Sequence, residues 1–407
     1  MSQAIETLSA PAASHRRLVG VVSAAHFVSH YYIIILAPLL PFVREAYGVS
    51  YTEIGLAFAA FNVVSAALQT PAGFLVDWLG ARILLILGLA VGGAAFILVG
   101  LIDSFWMLVA MFALAGVGNT VYHPADYALL SQHVPAKRIG QAFSIHTFAG
   151  MLGSAVAPAS LLVMQNLWGW RGAFIGAGIL GLAVAAIMLA MRDSAPAATV
   201  PPARSATGAL STGPAGWKLL LSAPILLNLF FFLIFALMSG GMFNYSVVAL
   251  GALHGTPVTI ANGALSSLLL LSAGGVLIGG LIVARTSRHA LVASLGLVGM
   301  ALTAALVGQF DLGTWPLILT MTAFGFCFGV IMPSRDMIVR DITPPGSFGK
   351  VFGFVTTGFN IGGIVSPMVF GALMDAGHPR LVFFIVAAFG LLGLLTVTTL
   401  PKQRITP

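Results

Sequence analysis

The chain has 407 residues, of which 59% are hydrophobic and only 7% are charged. A soluble globular protein carries about 25% charged residues, so the composition excludes an ordinary soluble enzyme and a disordered chain. The mean hydropathy of +1.02 is typical of a protein that crosses a membrane many times. The formal charge of +7 does not indicate nucleic-acid binding, because lysine and arginine occur singly between apolar runs. The single cysteine excludes a disulfide framework.

Twelve apolar runs are long enough to cross a bilayer as helices, since a span needs roughly 20 mostly apolar residues. They lie at 18–41, 54–76, 82–102, 105–131, 139–164, 171–191, 219–250, 258–284, 290–309, 314–339, 350–374 and 380–400. Run length and the lack of strict alternation argue against barrel strands. Pro124 predicts a kink in the fourth run. The N-terminus lacks the pattern of a cleaved signal peptide, so we expect the first run to be retained.

The distribution of basic residues predicts the orientation of the spans. With the N-terminus placed inside, fourteen of the 18 lysines and arginines fall on the inner side, and only Arg44, Arg171 and Arg380 fall on the outer side. By the positive-inside rule we expect a plasma (inner) membrane protein with both termini cytoplasmic. The connection 192–217 is rich in Pro, Ala, Ser and Gly and predicts a flexible cytoplasmic linker. The expected domains are a tail at 1–17, a six-helix bundle at 18–191, this linker, a second six-helix bundle at 218–400 and a tail at 401–407.

The two halves of the chain resemble each other at an offset of 209 residues. Matching pairs are Gly116/Gly325, Pro124/Pro333, Gly153/Gly362, Pro158/Pro367 and Arg171/Arg380. Chance similarity between apolar segments would not keep one register for so long. We therefore predict an all-α polytopic membrane protein of twelve helices in two pseudo-symmetric six-helix bundles, related by a pseudo-two-fold axis along the membrane normal. Structural repeats with a binding site at their interface are typical of secondary transporters.

Two histidines lie within the first span, where ionisable residues are costly and usually face a cavity or a partner. His26 and His30 are four residues apart and share one helix face, and Tyr31 follows them. Imidazole can bind an anion or relay a proton, or these rings simply bond to neighbouring helices. No carboxylate or thiolate lies near them in the sequence, so we expect no metal site.

A polar stripe runs along the otherwise apolar fourth span and predicts a surface that lines a cavity. Its members are Asn119, Tyr122, His123, Asp126 and Tyr127. Pro124 removes a backbone hydrogen bond and frees a carbonyl to face that cavity. Asp126 is the only carboxylate within a first-half span, so we expect proton coupling to run through it with His26, His30 or His123.

Further cavity candidates are His146 in the fifth span and, in the second half, Asn244, Tyr245, Thr356 and Asn360; the second-half side chains could equally join helices. Arg335 lies 209 residues after Asp126 and so holds the same place in its half. Arg335 and four histidines can carry more positive charge than the two intramembrane carboxylates carry negative charge, which favours an organic anion as substrate. No P-loop pattern occurs, so we expect no nucleotide-driven transport and no cofactor.

The connection after the second span reads GFLVDWLGAR from Gly73 to Arg82. It resembles the G-x-L-x-D-x-x-G-[RK]-[RK] loop of the major facilitator superfamily, although Trp78 and Ala81 replace residues that are usually basic. The segments AHF at 25–27, PLLP at 38–41 and VYHPA at 121–125 resemble the fosmidomycin-resistance branch of that superfamily.

This resemblance implies a monomeric twelve-helix transporter that moves a small solute by alternating access, with protons as the expected coupling ion. In this superfamily the inner ends of the fourth, fifth, tenth and eleventh helices close against each other in the outward-open state. We therefore predict a cytoplasmic gate of Asp77, Arg82, Asp126 and Arg335, in which Asp126 and Arg335 meet. In the rival interpretation, Arg335 pairs with its own neighbours or with substrate.

Two alternative functions remain open from the sequence. One is a proton-coupled multidrug exporter of neutral or cationic compounds. The other is a polytopic membrane enzyme that uses His123 and Asp126 as acid and base, although an enzyme needs no duplicated bundles.

Overall fold

The computed structural model describes residues 2–135, 138–191, 216–344 and 348–398. Within these ranges the regular structure is entirely helical, with no β-strand. The predicted linker, up to residue 215, and the predicted C-terminal tail lie outside the described residues.

Seven helices make up the first half: α1 (Ser2–Ile34), α2 (Leu40–Tyr47), α3 (Tyr51–Leu79), α4 (Ala81–Leu101), α5 (Phe105–Asn119), α6 (Tyr122–His133) and α7 (Ile139–Ala190). Eight helices follow in the second half: α8 (Gly216–Leu220), α9 (Ala223–Gly240), α10 (Ser246–His254), α11 (Val258–Val283), α12 (His289–Gln309), α13 (Thr314–Ile342), α14 (Phe348–Asp375) and α15 (Pro379–Thr398). A 3₁₀ turn at Ala37–Leu39 joins α1 to α2, and a π-helical turn at Gly241–Tyr245 joins α9 to α10.

The helices give twelve membrane spans, as predicted. Eleven segments of the described chain are long and apolar enough to cross a membrane, and one of them is the 52-residue α7. A straight helix of that length would measure about 78 Å, more than twice the hydrocarbon core of a bilayer. Gly169 has the non-helical dihedrals φ 71° and ψ 170°, so α7 consists of two successive spans. Glycine is suited to this break because it lacks a Cβ.

The fourth span is broken where the sequence predicted a kink. α5 ends at Asn119 and α6 begins at Tyr122, just before Pro124. Proline cannot donate a backbone hydrogen bond, which weakens the helix one turn before it. The equivalent residue Pro333 lies inside the uninterrupted α13, so the repeat is not exact at this point.

The helix of the first span extends beyond the predicted apolar run at both ends. α1 begins at Ser2, so the segment expected to form a tail is helical from that residue. Its alanines are strong helix formers. At the other end, the turn at Ala37–Leu39 lets the chain continue as α2 to Tyr47 instead of ending near residue 41.

The chain divides into two compact units, one of Met1–Tyr47 and Ala60–Ala203 (unit 1) and the other of Gly48–Ala59 and Arg204–Pro407 (unit 2). The first turns of α3 therefore belong to unit 2. There the carboxylate of Asp375 accepts hydrogen bonds from the backbone N–H of Tyr51 at 2.7 Å and of Thr52 at 2.8 Å, and from the Thr52 hydroxyl at 2.6 Å. Asp375 thus caps the free amides at the start of α3.

The 209-residue repeat extends to the contacts between helices inside each unit. In unit 1, Gly153 of α7 lies against the backbone of Phe27 in α1. In unit 2, Gly362 of α14 lies against Ala236 of α9, and Phe27 and Ala236 are themselves 209 residues apart. Glycine lets two membrane helices approach closely. The same packing contact is therefore built twice, at equivalent positions.

Candidate functional site

A cluster of ionisable side chains from three helices lies inside unit 1, and we call it the histidine cluster. α1 contributes His26 and His30, α6 contributes His123 and Asp126, and α7 contributes His146. Three of these side chains are almost fully buried: Asp126 is 0% exposed, His146 1% and His26 4%. Asp126 lies beside two of the four histidines that the sequence singled out, His26 and His146, and the rings of the other two contact His26.

Asp126 is flanked by two imidazoles. Its Oδ2 atom lies 3.3 Å from Nδ1 of His26 and 3.6 Å from Nε2 of His146. Neither contact has hydrogen-bond geometry, and both carboxylate oxygens lack a hydrogen-bond partner among the described residues. A buried carboxylate is costly unless it carries a proton or faces a cation. The cluster is therefore a place where a proton or another cation can be held.

The imidazole rings contact one another in a continuous group. His26 stacks on His146 with ring centroids 3.8 Å apart, and it meets His30 and His123 edge-on at 4.6 Å and 5.3 Å. His123 is exposed and His30 is half-buried. The group thus leads from the surface of unit 1 to the buried Asp126. Imidazole exchanges protons near neutral pH, so this arrangement suits a proton relay.

Glycine makes the cluster sterically possible. A Cβ atom at Gly150 would collide with the rings of both His26 and His30. Together with Gly153, this missing side chain lets α7 approach α1, and His146 lies one turn before Gly150 on the same helix. His30 is also tied to α7, because its Nδ1 lies 3.4 Å from the hydroxyl of Ser154.

The reason for expecting no metal site does not hold in three dimensions. That expectation rested on the lack of a carboxylate near His26 in the sequence, yet Asp126 lies beside it in space. The donor atoms of His26, Asp126 and His146 all lie within 4.8 Å of one another. Their separation in the sequence hid this grouping.

Arg335 occupies the equivalent position in unit 2 and has different surroundings. It is 6% exposed, and its Nε and Nη2 atoms donate hydrogen bonds to Oδ1 of Asp336 at 2.9 Å and 2.7 Å. Its guanidinium carbon lies 4.4 Å from the ring centroid of Phe232 and 5.1 Å from that of Phe359. Nη1 has no hydrogen-bond partner among the described residues. Cation–π contacts stabilise the buried charge, and Nη1 can donate a hydrogen bond to an anion.

Two of the tyrosines predicted to line the cavity form hydrogen bonds between helices. The hydroxyl of Tyr31 shares a 2.8 Å hydrogen bond with the hydroxyl of Ser160 on α7. The hydroxyl of Tyr245 donates to the backbone carbonyl of Pro367 on α14, also at 2.8 Å. Both rings are buried, which favours a packing role for these residues.

The remaining stripe residues of unit 1 lie near the break in the fourth span. Asn119 is half-buried and donates to the hydroxyl of Ser65 on α3 at 3.2 Å. Tyr122 is buried, and its hydroxyl has no hydrogen-bond partner among the described side chains and backbone. The Tyr122 hydroxyl can therefore still form a hydrogen bond inside unit 1, whereas Asn119 joins two helices.

The other second-half candidates, Asn244, Thr356 and Asn360, are half-buried. Asn244 lies in the π-helical turn between α9 and α10. Thr356 donates its hydroxyl to the carbonyl of Gly353 within α14, and Asn360 lies one turn further on. Their role in binding stays a prediction.

The predicted cytoplasmic gate is described only in part. Arg82 donates to the backbone carbonyls of Met188 and Met191, which end α7, and thereby caps that helix. The Asp77 side chain lies outside the described atoms. Asp126 and Arg335 each have the contacts within their own unit described above, and their meeting in another conformation stays a prediction.

Comparison with known families identifies the protein class. The model of the Major Facilitator Superfamily matches residues 22–289 and 229–406. The chain belongs to the Major Facilitator Superfamily. It is therefore a multi-pass membrane protein and a transporter of small solutes, and the alternative of a membrane enzyme is set aside.

Two relatives and one solved structure illustrate the similarity. The chain is 25% identical to the fosmidomycin resistance protein of Escherichia coli K12 over 397 residues, which cover 95% of this chain and 93% of that protein, and the predicted resemblance is confirmed. It is 31% identical over 166 residues to the probable sulfoacetate transporter SauU of Cupriavidus necator, but this match covers only 40% of the chain and 38% of that transporter. The same fold is found in a bacterial homolog of the human lysosomal transporter Spinster, which was solved in an inward-facing, unoccupied conformation. The TM-score is 0.80, the match covers 97% of this chain and 99% of that chain, and the sequences are 14% identical.

Proposed function

We propose that the protein is a secondary active transporter that couples the movement of a small organic anion to protons by alternating access. It works as a monomer in the inner membrane, with both termini in the cytoplasm. The observation that carries the proposal is the buried carboxylate of Asp126, which lies between His26 and His146 and lacks a hydrogen-bond partner among the described residues.

Proton coupling follows from the cost of that buried charge. Binding a proton removes the net charge of Asp126, and releasing it restores a charge that prefers water or a cation. The two states of the cluster therefore favour different surroundings, which is the condition for a ligand to shift a conformational equilibrium. The exposed ring of His123 and the half-buried ring of His30 supply a path between Asp126 and the surface of unit 1.

An anionic substrate is supported by Arg335 in unit 2. Its Nη1 atom is buried without a hydrogen-bond partner among the described groups, while Asp336 occupies the other two nitrogens. A carboxylate or sulfonate oxygen is the natural acceptor for that remaining N–H group. The relative SauU is described as a probable transporter of sulfoacetate, which is a small organic anion.

A second candidate function is the export of a drug, because a relative that matches 95% of this chain is a fosmidomycin resistance protein. Such an exporter would move neutral or cationic compounds, so the two candidates differ in the charge of the solute.

Transport by purified protein in proteoliposomes tests the proposal. We expect a pH gradient to drive the accumulation of at least one small carboxylate, sulfonate or phosphonate, and a protonophore to abolish it. Protein-free liposomes provide the background. Movement of cationic or neutral drugs alone would support the exporter instead. If no solute moved under a proton gradient, coupled transport would be refuted.

A further inference from the structure

Three buried donor groups in unit 1 converge without satisfying one another. His26 Nδ1, His146 Nε2 and both oxygens of Asp126 all lack a hydrogen-bond partner among the described residues. They come from three different helices, α1, α6 and α7. Buried polar atoms normally have hydrogen-bond partners, so donor atoms that lack them and lie within 4.8 Å of one another suit a shared ligand.

The spacing of these atoms fits a tetrahedral metal ion. Zinc binds histidine nitrogen and carboxylate oxygen at about 2.0–2.2 Å, which places neighbouring donors of a tetrahedron about 3.3 Å apart. Asp126 Oδ2 lies 3.3 Å from His26 Nδ1 and 3.6 Å from His146 Nε2. Two edges of the tetrahedron are therefore already close to the required length, and all three donors lie within 4.8 Å of one another.

We infer that His26, Asp126 and His146 form a binding site for a divalent transition-metal ion of the zinc class. Two imidazoles and one carboxylate suit Zn²⁺ or Co²⁺ rather than Mg²⁺ or Ca²⁺, which prefer oxygen ligands alone. Three protein ligands leave a fourth position for water or a small anion. One carboxylate does not balance a divalent ion, so an anion in that position lowers the cost of burying the remaining positive charge.

Binding requires a small movement of the rings. His26 and His146 now stack with an angle of 23° between their planes, and the lone pairs that bind metal lie in those planes. One ring must therefore turn about its Cβ–Cγ bond before both nitrogens point at the same ion. The ion would then join α1, α6 and α7. Because the ligands must be unprotonated, protons compete with the metal, and acidification weakens binding.

The direct test is binding of Zn²⁺ to the full-length, tag-free protein in detergent. We expect one equivalent of Zn²⁺ per chain in competition with a chromophoric chelator, and an affinity that falls as the pH is lowered from 8 to 6. Replacement by Co²⁺ should give the intense visible absorption of tetrahedral cobalt. Binding below one equivalent, or a weak octahedral cobalt spectrum, would overturn the site.

Single substitutions test which residues bind the metal ion. His26→Gln, His146→Gln and Asp126→Asn should each weaken Zn²⁺ binding by at least about tenfold. The matched control is His254→Gln, because His254 lies in unit 2 and its Nε2 contacts the carbonyl of Val307. Equal Zn²⁺ affinity in all four variants would refute the assignment.

These measurements need no transport, so the metal site and the proposed transport function can fail independently. If a variant does not fold, the stoichiometry and the cobalt spectrum of the wild-type protein still support or overturn the site.

Discussion

His26 and Asp126 approach to 3.3 Å in unit 1, and the residues 209 positions further on, Phe235 and Arg335, also face each other in unit 2. The guanidinium carbon of Arg335 lies 5.9 Å from the ring centroid of Phe235. The two positions of the repeat therefore lie side by side in both units, but the acid of unit 1 is replaced by a cation in unit 2. Unit 1 places an imidazole beside an acid, and unit 2 places an aromatic ring beside a cation. We interpret the first pair as a cation-binding site, for a proton or a metal ion, and the second as an anion-binding site.

Replacing Asp126 by Asn keeps the shape of the side chain and removes its proton-binding group. We expect Asp126→Asn to abolish accumulation driven by a pH gradient and to retain counterflow exchange, because exchange needs no net movement of protons. Asp311→Asn is the matched control, since Asp311 is exposed in the connection before α13. Undiminished accumulation in Asp126→Asn, measured in proteoliposomes, would move the coupling site elsewhere.

Arg335 should determine the affinity for an anionic substrate. Hydrogen bonds to charged groups contribute about 1.5–3 kcal/mol, so Arg335→Ala should raise the KM for counterflow at least about tenfold. Arg335→Lys should recover only part of this loss, because lysine lacks the planar fork. Asp336→Asn, which removes the competing carboxylate, should leave the KM unchanged or lower it. A wild-type KM in Arg335→Ala would place the anion away from this residue.

Substitutions at Asp126 and Arg335 test whether these residues pair in the predicted cytoplasmic gate. If they meet in the outward-open state, the pair stabilises that state by ~1–3 kcal/mol, the usual size of a conformational coupling. Arg335→Ala should then favour the inward-open state and raise the labelling of a cysteine at Ser131, which is exposed near the end of α6. The background is Cys327→Ser, because Cys327 is the single cysteine.

The charge swap Asp126→Arg with Arg335→Asp should bring the labelling part of the way back to the wild-type level. If the swap behaves no better than either single variant, the two charges do not pair. Arg335, whose Nη1 has no hydrogen-bond partner among the described residues, would then be the leading candidate for holding an anionic substrate.

Close packing at Gly153 should be sensitive to a single methyl group. A Cβ there meets the backbone of Phe27, so we expect Gly153→Ala to cost about 1–3 kcal/mol, as overpacking usually does. Gly263→Ala is the control, because nothing lies within 4 Å of a Cβ at that helical position. Alanine should be neutral or stabilising there through its higher helix propensity. Thermal unfolding in detergent measures both, and an equal melting temperature for the two variants would contradict the packing argument.

Much of the membrane topology could be predicted because a bilayer imposes simple demands on sequence. A span must be long and apolar, so the twelve runs were visible, and Pro124 marked the break between α5 and α6. The prediction was less successful where helices continue outside the apolar run, as α1 and α2 do. Hydropathy indicates whether a residue lies in the membrane or in water, and it does not indicate where a helix ends in water.

The residues of the candidate site could be predicted, but their grouping could be predicted only in part. His26, Asp126 and His146 were each singled out because an ionisable group is costly in an apolar span. Asp126 with His26 was one of three predicted combinations, but the position of His146 beside the same carboxylate was not predicted, and neither were the phenylalanine rings around Arg335. The 209-residue register held a signal for the second grouping, because it aligns His26 with Phe235 and Asp126 with Arg335.

The sequence by itself determined the membrane class, the twelve spans, the internal repeat and the superfamily, because length, apolarity and register are properties of the chain. Only the tertiary structure decided that Asp126, a hundred residues after His26, lies against it and against His146. That contact depends on how far each helix is rotated about its axis and on how closely α7 approaches α1 at Gly150 and Gly153. Rotation and approach are set by packing between side chains that are remote in the sequence, and hydropathy along one helix carries no information about them.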